Sequence, residues 1–158
     1  MNSAKAEEGY PDNSLQFYSD GKFETVMLTP RRPVAEISVR LGPKAGIFIG
    51  TVSDAVTGAP LSPCVELRRA SKPDNFLSGS GLIKPEYRLL LPSEIGVYMK
   101  IWLDGYKFWY YPGTEKKSES KPARLAPGEV QILDIRMQPG KNSAEGTCGP
   151  PFGSNINR

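Results

Sequence analysis

The sequence predicts an all-β protein, an antiparallel β-sandwich of about seven to nine short strands with no long helix. Glycine and proline are frequent, with 16 and 15 of 158 residues, and they fall between short apolar runs as turn residues do. The runs alternate apolar and polar residues, which is the period of a strand and not of an amphipathic helix. With 39% apolar residues the chain can build a packed core.

The N-terminal part divides into two predicted segments. Residues 1–21 are polar and without periodicity, so we predict a flexible segment there. Residues 22–45 are predicted to hold N-terminal strands that pack on the sandwich or extend it, on either side of a proline-containing connection. In the second of these strands Ala35, Ile37, Val39 and Leu41 alternate with polar residues, so one side faces inward.

The next predicted strand covers Ile47 to Ser53 and leads into a tight turn. Gly50 inside this strand predicts a bulge or a close approach of another backbone segment. An aspartate at the start of a turn can accept hydrogen bonds from downstream amides, and a glycine at its end supplies a positive φ. The residues predicted to define this turn are Asp54, Thr57, Gly58 and Pro60.

Further strands follow the same alternating pattern toward the C-terminus. They are predicted at Val65 to Arg69, Tyr87 to Leu91, Gly96 to Leu103, Lys107 to Tyr111 and Val130 to Met137. The charged stretch from Glu115 to Lys121 is predicted to be an exposed loop. Residues 140–158 form a Gly/Pro-rich tail that could reach a neighbouring subunit.

One motif resembles a known family. The segment from Gly46 to Leu61, followed by Val65-Glu66-Leu67, is similar to the opening of carboxypeptidase regulatory-like domains, and the likeness continues through Gly105-Tyr106 and Leu125 to Glu129. The resemblance assigns residues 46–139 to one transthyretin-like or Ig-like sandwich, in the superfamily that also holds the collagen-adhesin B-type domains. It implies a secreted or envelope protein, typically bacterial, that adheres, associates with carbohydrate or acts as a spacer. Cys64 departs from the pattern, which tends to have alanine there.

Several classes of chemistry are excluded or disfavoured by composition. The chain has no histidine, so it cannot assemble Ser-His-Asp, Cys-His or zinc-peptidase sites, and we predict no catalytic residues. A net charge of +3, with both signs scattered, does not favour nucleic acid. No membrane span and no signal peptide are visible. Asp54 and Thr57 could hold calcium, but a turn explains them better, so no metal or cofactor is predicted.

The two cysteines leave one question open. Cys64 and Cys148 could form a single bridge, but free thiols are the favoured interpretation. Cys64 lies in an alternating strand, where a thiol usually acts as a small buried apolar group, and Cys148 lies in the tail.

The segment from residue 102 to residue 111 is unusually aromatic. Strand alternation predicts that Phe108 and Tyr110 point to one side and Trp109 and Tyr111 to the other. We therefore predict a ligand or partner surface formed by Trp102, Tyr106, Trp109 and Tyr111. The alternative is that a second sheet, the N-terminal segment or the Pro112 loop covers these rings.

Two functions follow, from different classes. The first is a non-catalytic interaction or structural module that mediates adhesion, self-assembly or spacing through sheet edges and exposed aromatics, with a protein partner or a second copy. The second is a carbohydrate-binding module in which Trp102, Trp109 or Tyr111 stacks on a glycan while Lys107 and Asp104 bond its hydroxyls. An enzyme comes last, because it would need a cleft with perturbed acids. An extracellular or envelope location rests on the family resemblance alone.

Overall fold

The computed structural model describes residues 29–31, 43–73, 76–141 and 148, with the backbone alone for residues 76–80. These residues form eight strands and one short 3-10 helix at Lys117–Glu119. The strands make two sheets of four strands each, which confirms the predicted all-β sandwich. They are β1 (Gly46–Asp54), β2 (Cys64–Arg69), β3 (Phe76–Leu82), β4 (Glu86–Leu91), β5 (Val97–Trp102), β6 (Trp109–Tyr110), β7 (Val130–Ile132) and β8 (Ile135–Met137).

In the first sheet β1 is the central strand. It pairs antiparallel with β4 along one side and parallel with both β7 and β8 along the other. This sheet is therefore mixed, whereas the sequence predicts antiparallel pairing throughout. The reason lies in the long connection after β6, which returns the chain to the end where β1 begins: the Gly128 N–H donates to the Ala45 carbonyl. A strand that starts beside the start of β1 must run in the same direction.

The predicted strand from Val130 to Met137 is interrupted at Leu133 and Asp134. At this point the chain presses against β1, where a Cβ atom on Gly50 would overlap the Leu133 carbonyl oxygen. Asp134 Oδ1 accepts hydrogen bonds from the Thr51 N–H at 2.9 Å and from the Thr51 hydroxyl at 2.8 Å. The close backbone approach predicted from Gly50 is confirmed, and it separates β7 from β8.

The second sheet has the order β3-β2-β5-β6. Strand β2 pairs antiparallel with β5 over its whole length, from Cys64 opposite Trp102 to Arg69 opposite Val97. The sequence analysis did not predict β3, because its Ser/Gly-rich sequence has no alternating apolar pattern. Its pairing with β2 also contains register shifts.

The core lies between the two sheets and contains the inward residues of each strand. From the first sheet come Phe48, Val52, Tyr87, Leu89, Leu91, Ile135 and Met137, and from the second Val65, Leu67, Val97, Met99, Ile101 and Trp109. Residues of β5 alternate between the core and the outer side of its sheet, so Tyr98, Lys100 and Trp102 lie on the outer side.

The cysteines are paired, so the favoured interpretation of free thiols is wrong. A disulfide joins Cys64 to Cys148 across 84 residues of sequence. Cys64 is buried, but it lies on the outer side of its sheet beside Trp102, where it bonds to Cys148. Sequence spacing carries no information on that distance. The predicted flexible segment at 1–21 lies outside the described residues, and so do the predicted N-terminal strands at 22–45 except for residues 29–31 and 43–45. Of the predicted tail at 140–158, the structure describes only residues 140, 141 and 148.

Candidate functional site

The aromatic segment divides between the core and the surface, and Trp109 belongs to the core. Strand β6 pairs with β5 so that Trp109 lies opposite Ile101 and Tyr110 opposite Lys100. Opposite residues of a pair point to the same side, and Ile101 is fully buried in the core. Trp109 and Trp102 are only 7% and 8% exposed, so neither ring offers the open stacking surface predicted from the sequence. The predicted alternation holds, but its direction is reversed.

Tyr106 and Tyr111 also pack against the core. The Tyr111 ring lies 5.7 Å from the ring of Phe48, centroid to centroid. The Tyr106 hydroxyl donates to Asp54 Oδ2 at 2.7 Å, and this hydrogen bond raises the pKa of Tyr106. Both side chains are half-buried. Their position assigns them to the support of the fold more than to an open ligand surface.

Asp54 organises the turn after β1. Its Oδ1 accepts hydrogen bonds from the backbone N–H groups of Val56 at 2.7 Å and Thr57 at 2.8 Å. The Thr57 amide, the Tyr106 hydroxyl and the Val56 amide together lower the pKa of Asp54. Gly58 completes the turn with a φ of +73°. Both carboxylate oxygens of Asp54 therefore have donors from the protein, which accounts for this residue without calcium.

The outer side of the second sheet carries a mixed surface that we call the aromatic face, defined by Tyr98, Lys100, Trp102, Phe108 and Tyr110. The Lys100 ammonium lies 4.3 Å from the centroid of the Phe108 ring and 5.3 Å from that of Trp102. The rings of Phe108 and Tyr110 are 6.1 Å apart and inclined by 54°. These two rings therefore do not form a flat platform, and Lys100 already occupies one face of Phe108.

Charged side chains border the aromatic face. Glu66 and Arg68 form an ion pair on β2. Burial, followed by the negative charge of Glu66, raises the pKa of Tyr110, which stays a protonated hydroxyl at neutral pH. Lys107, predicted to bond a glycan, instead lies 2.9 Å from Glu115 in a surface ion pair. Asp104 is exposed in the turn before it.

The outer side of the first sheet is apolar at one edge. We call this surface the apolar stripe, defined by Ile47, Ile49, Leu90, Val130 and Ile132. The register places Ile47 between Leu90 on β4 and Val130 on β7, and places Ile49 beside Ile132. Ile47 is nearly buried, whereas Val130 and Ile132 on the edge strand are 56% and 73% exposed.

The backbone of β7 is open on the side away from β1. The Ile47 N–H donates to the Glu129 carbonyl, and the Leu133 N–H donates to the Ile49 carbonyl. In a parallel pair only every second residue of β7 hydrogen-bonds to β1. The residues between them, Val130 and Ile132, therefore direct their N–H and C=O groups away from β1. Within the described ranges no strand pairs with β7 there.

Sequence reasoning singled out Trp102 as a surface residue, but none of the other residues of the aromatic face and none of the apolar stripe. The outward position of Tyr110 could have been predicted from the sequence. The apolar residues of β5 at 97, 99 and 101 define its inward side, and pairing across the turn at Asp104-Gly105 then places Tyr110 on the outward side. For Val130 and Ile132 no such prediction was possible, because an apolar residue in a strand pattern indicates burial unless the strand is known to be an edge.

Two features are absent from the part of the chain that the structure describes. No three side chains of the His, Cys, Asp and Glu types come together there in a metal-binding arrangement. No helix there has the length and hydropathy required to cross a membrane.

Comparison with solved structures adds a distant likeness to this description. No protein-family model matches the chain, and no curated protein matches it. Among solved structures it is similar to the crystal structure of a "putative carbohydrate binding protein" from Bacteroides uniformis, with 12% identity and a TM-score of 0.41. The match covers 62% of this chain and 43% of that one, so this chain spans less than half the length of its neighbour.

Proposed function

We propose that this chain is a non-catalytic interaction module that binds an extended segment of a protein partner along β7, in the manner of an added strand. The observation that carries the proposal is the open edge at Val130 and Ile132, where exposed apolar side chains and outward backbone groups occur together. An added strand satisfies the backbone groups, and its alternate side chains cover the apolar stripe.

In the part of the chain that the structure describes, β7 lacks the features by which sheet proteins usually prevent such pairing. Natural edge strands are blunted by lysine, by proline or by a covering loop. Strand β7 reads Val-Gln-Ile, with neither charge nor proline, and all three residues are exposed. The break at Leu133 and Asp134 ends the open edge after three residues.

The Asp54 turn and the disulfide bear on family and on cellular location. The turn at Asp54, Thr57 and Gly58 supports the resemblance to carboxypeptidase regulatory-like domains, whose members serve adhesion or spacing. The Cys64–Cys148 disulfide supports an extracellular or envelope location, because disulfides persist in oxidising compartments.

A peptide-binding experiment tests the proposal. The probe is a fluorescein-labelled peptide of alternating valine and threonine, which has strand propensity and no charge. We expect its anisotropy to rise with the protein, and Ile132→Lys to weaken binding at least tenfold, about 1.4 kcal/mol. Val56→Lys is the matched control, because Val56 is 75% exposed but lies in the turn after β1. Equal loss in both variants, or no binding by the native chain, would reject the proposal.

Carbohydrate binding at the aromatic face is the second candidate. It is favoured by the gathering of Phe108, Tyr110 and Lys100, which offers apolar ring surface beside a cation, with Glu66 as an acceptor for sugar hydroxyls. The inclination of the two rings favours a glycan that contacts them at different angles over one that lies flat on both.

Affinity electrophoresis in gels that contain neutral or uronic-acid polysaccharides tests this second candidate. Retardation that Phe108→Ala combined with Tyr110→Ala abolishes, and that Ile132→Lys leaves intact, would support it. Unchanged mobility of the native chain in every gel would reject carbohydrate binding at the aromatic face.

A further inference from the structure

We infer that the occupant of the β7 edge is a second copy of this chain, joined antiparallel through β7 about a two-fold axis at Gln131. This inference rests on the proposed function, since it names the partner of the same edge. In this pairing the first sheets of the two subunits become one continuous sheet.

The backbone geometry of β7 suits a symmetric antiparallel pair. In antiparallel pairs, hydrogen-bonded and non-hydrogen-bonded positions alternate. The residues with outward N–H and C=O groups are Val130 and Ile132, on either side of Gln131. With the axis at Gln131, Val130 lies opposite Ile132 of the partner subunit, and each such pair exchanges two N–H···O bonds. Gln131 is then the non-hydrogen-bonded position on the axis.

The side chains are self-complementary in the same register. Val130 and Ile132 share the outer side of the sheet with Ile47 and Ile49. The two-fold axis brings each exposed pair beside the other, so the apolar stripe runs unbroken from one subunit into the next. Burial of these side chains, now 56% and 73% exposed, supplies the favourable free energy of association.

The charges near the edge permit this pairing. Strand β7 itself is uncharged, and the register sets Glu129 opposite Leu133 of the partner subunit and not directly opposite another acid. Like charges directly opposite each other destabilise strand pairing, and the two-fold arrangement avoids them. A longer shift of register would bring Glu129 toward its own copy and lose the backbone match.

The first test is the mass of the full chain in solution. Sedimentation equilibrium over about 5–500 μM covers the weak affinity expected of so short a strand pair. We expect a reversible dimer, with Ile132→Lys raising its dissociation constant at least tenfold and the control Val56→Lys leaving it unchanged. A chain that stays monomeric throughout, or a dimer insensitive to Ile132→Lys, overturns the inference.

The second test examines the register. Paired cysteines bridge when their Cα atoms lie about 4.4–6.8 Å apart, which a non-hydrogen-bonded antiparallel pair satisfies. We expect Gln131→Cys to form a disulfide-linked dimer on mild oxidation, while Val56→Cys stays largely monomeric, since both native cysteines are already paired. Equal cross-linking of both variants contradicts the register.

The two tests separate this inference from the proposed function. A monomer that binds the valine-threonine peptide in an Ile132-dependent way retains the open edge as a binding site and rejects the second copy as its occupant. A monomer that binds no peptide rejects both.

Discussion

The disulfide offers the clearest test of how the C-terminal segment contributes to stability. It joins residues 84 apart in sequence, so its removal frees a long loop in the unfolded chain. The chain-entropy relation for a loop of about 85 residues gives about 15 cal/mol/K, or about 4.6 kcal/mol at 25 °C. Removal of a native disulfide from a small domain typically costs about 2–5 kcal/mol, so we expect a loss of about 3–5 kcal/mol in the free energy of unfolding.

Urea denaturation of the oxidised and reduced chain measures this quantity. With an m-value of about 2 kcal/mol/M, the midpoint should fall by about 2 M on reduction. The double variant Cys64→Ala with Cys148→Ala serves as the control, because its midpoint should match the reduced chain and should not respond to reductant. Alkylation before reduction should modify no thiol. A midpoint shift below about 0.5 M, or free thiols in the oxidised chain, would refute the reasoning.

The remaining predictions concern the core, the close approach at Gly50 and the Asp54 turn. Trp109→Ala should lower the free energy of unfolding in urea by about 3–5 kcal/mol, whereas Phe108→Ala should lower it by less than about 1.5 kcal/mol. Comparable losses in the two variants would contradict the assignment of Trp109 to the core and Phe108 to the surface. Gly50→Ala should cost about 2 kcal/mol of unfolding free energy, because the new methyl group meets the Leu133 carbonyl. Near-native stability of this variant would show that the segment at Leu133 can shift away at little cost. The lowered pKa of Asp54 means that its carboxylate contributes stability fully above its ordinary pKa of 3.8 and loses it as the pH falls through the folded value. In Asp54→Asn, the free energy of unfolding measured in urea should therefore fall less steeply as the pH is lowered through the acid range. An unchanged pH dependence would argue against a role for this carboxylate.

Local sequence patterns determined much of the fold. Alternation predicted β1, β2, β4 and β5 within a few residues, since each buries one side and exposes the other. The Asp54 turn depends only on neighbours in the chain, so its residue types were informative alone. Gly50 predicted a close approach because no other residue leaves that space. Strand β3 was not predicted from the sequence, because its serine and glycine residues give no alternating pattern. It forms a strand because it pairs with β2.

The candidate sites depended on tertiary structure. Alternation separated Trp109 from Tyr110 but could not say which of them faces the core, because that direction is set by the register between β6 and β5. The same limit applied to Val130 and Ile132, whose apolar side chains indicate burial until the sheet order makes β7 an edge. The bridge between Cys64 and Cys148 also required the path of the chain in space. Period-two patterns record that a strand has two different sides, whereas the identity of each side's neighbour is fixed only when distant segments pack together.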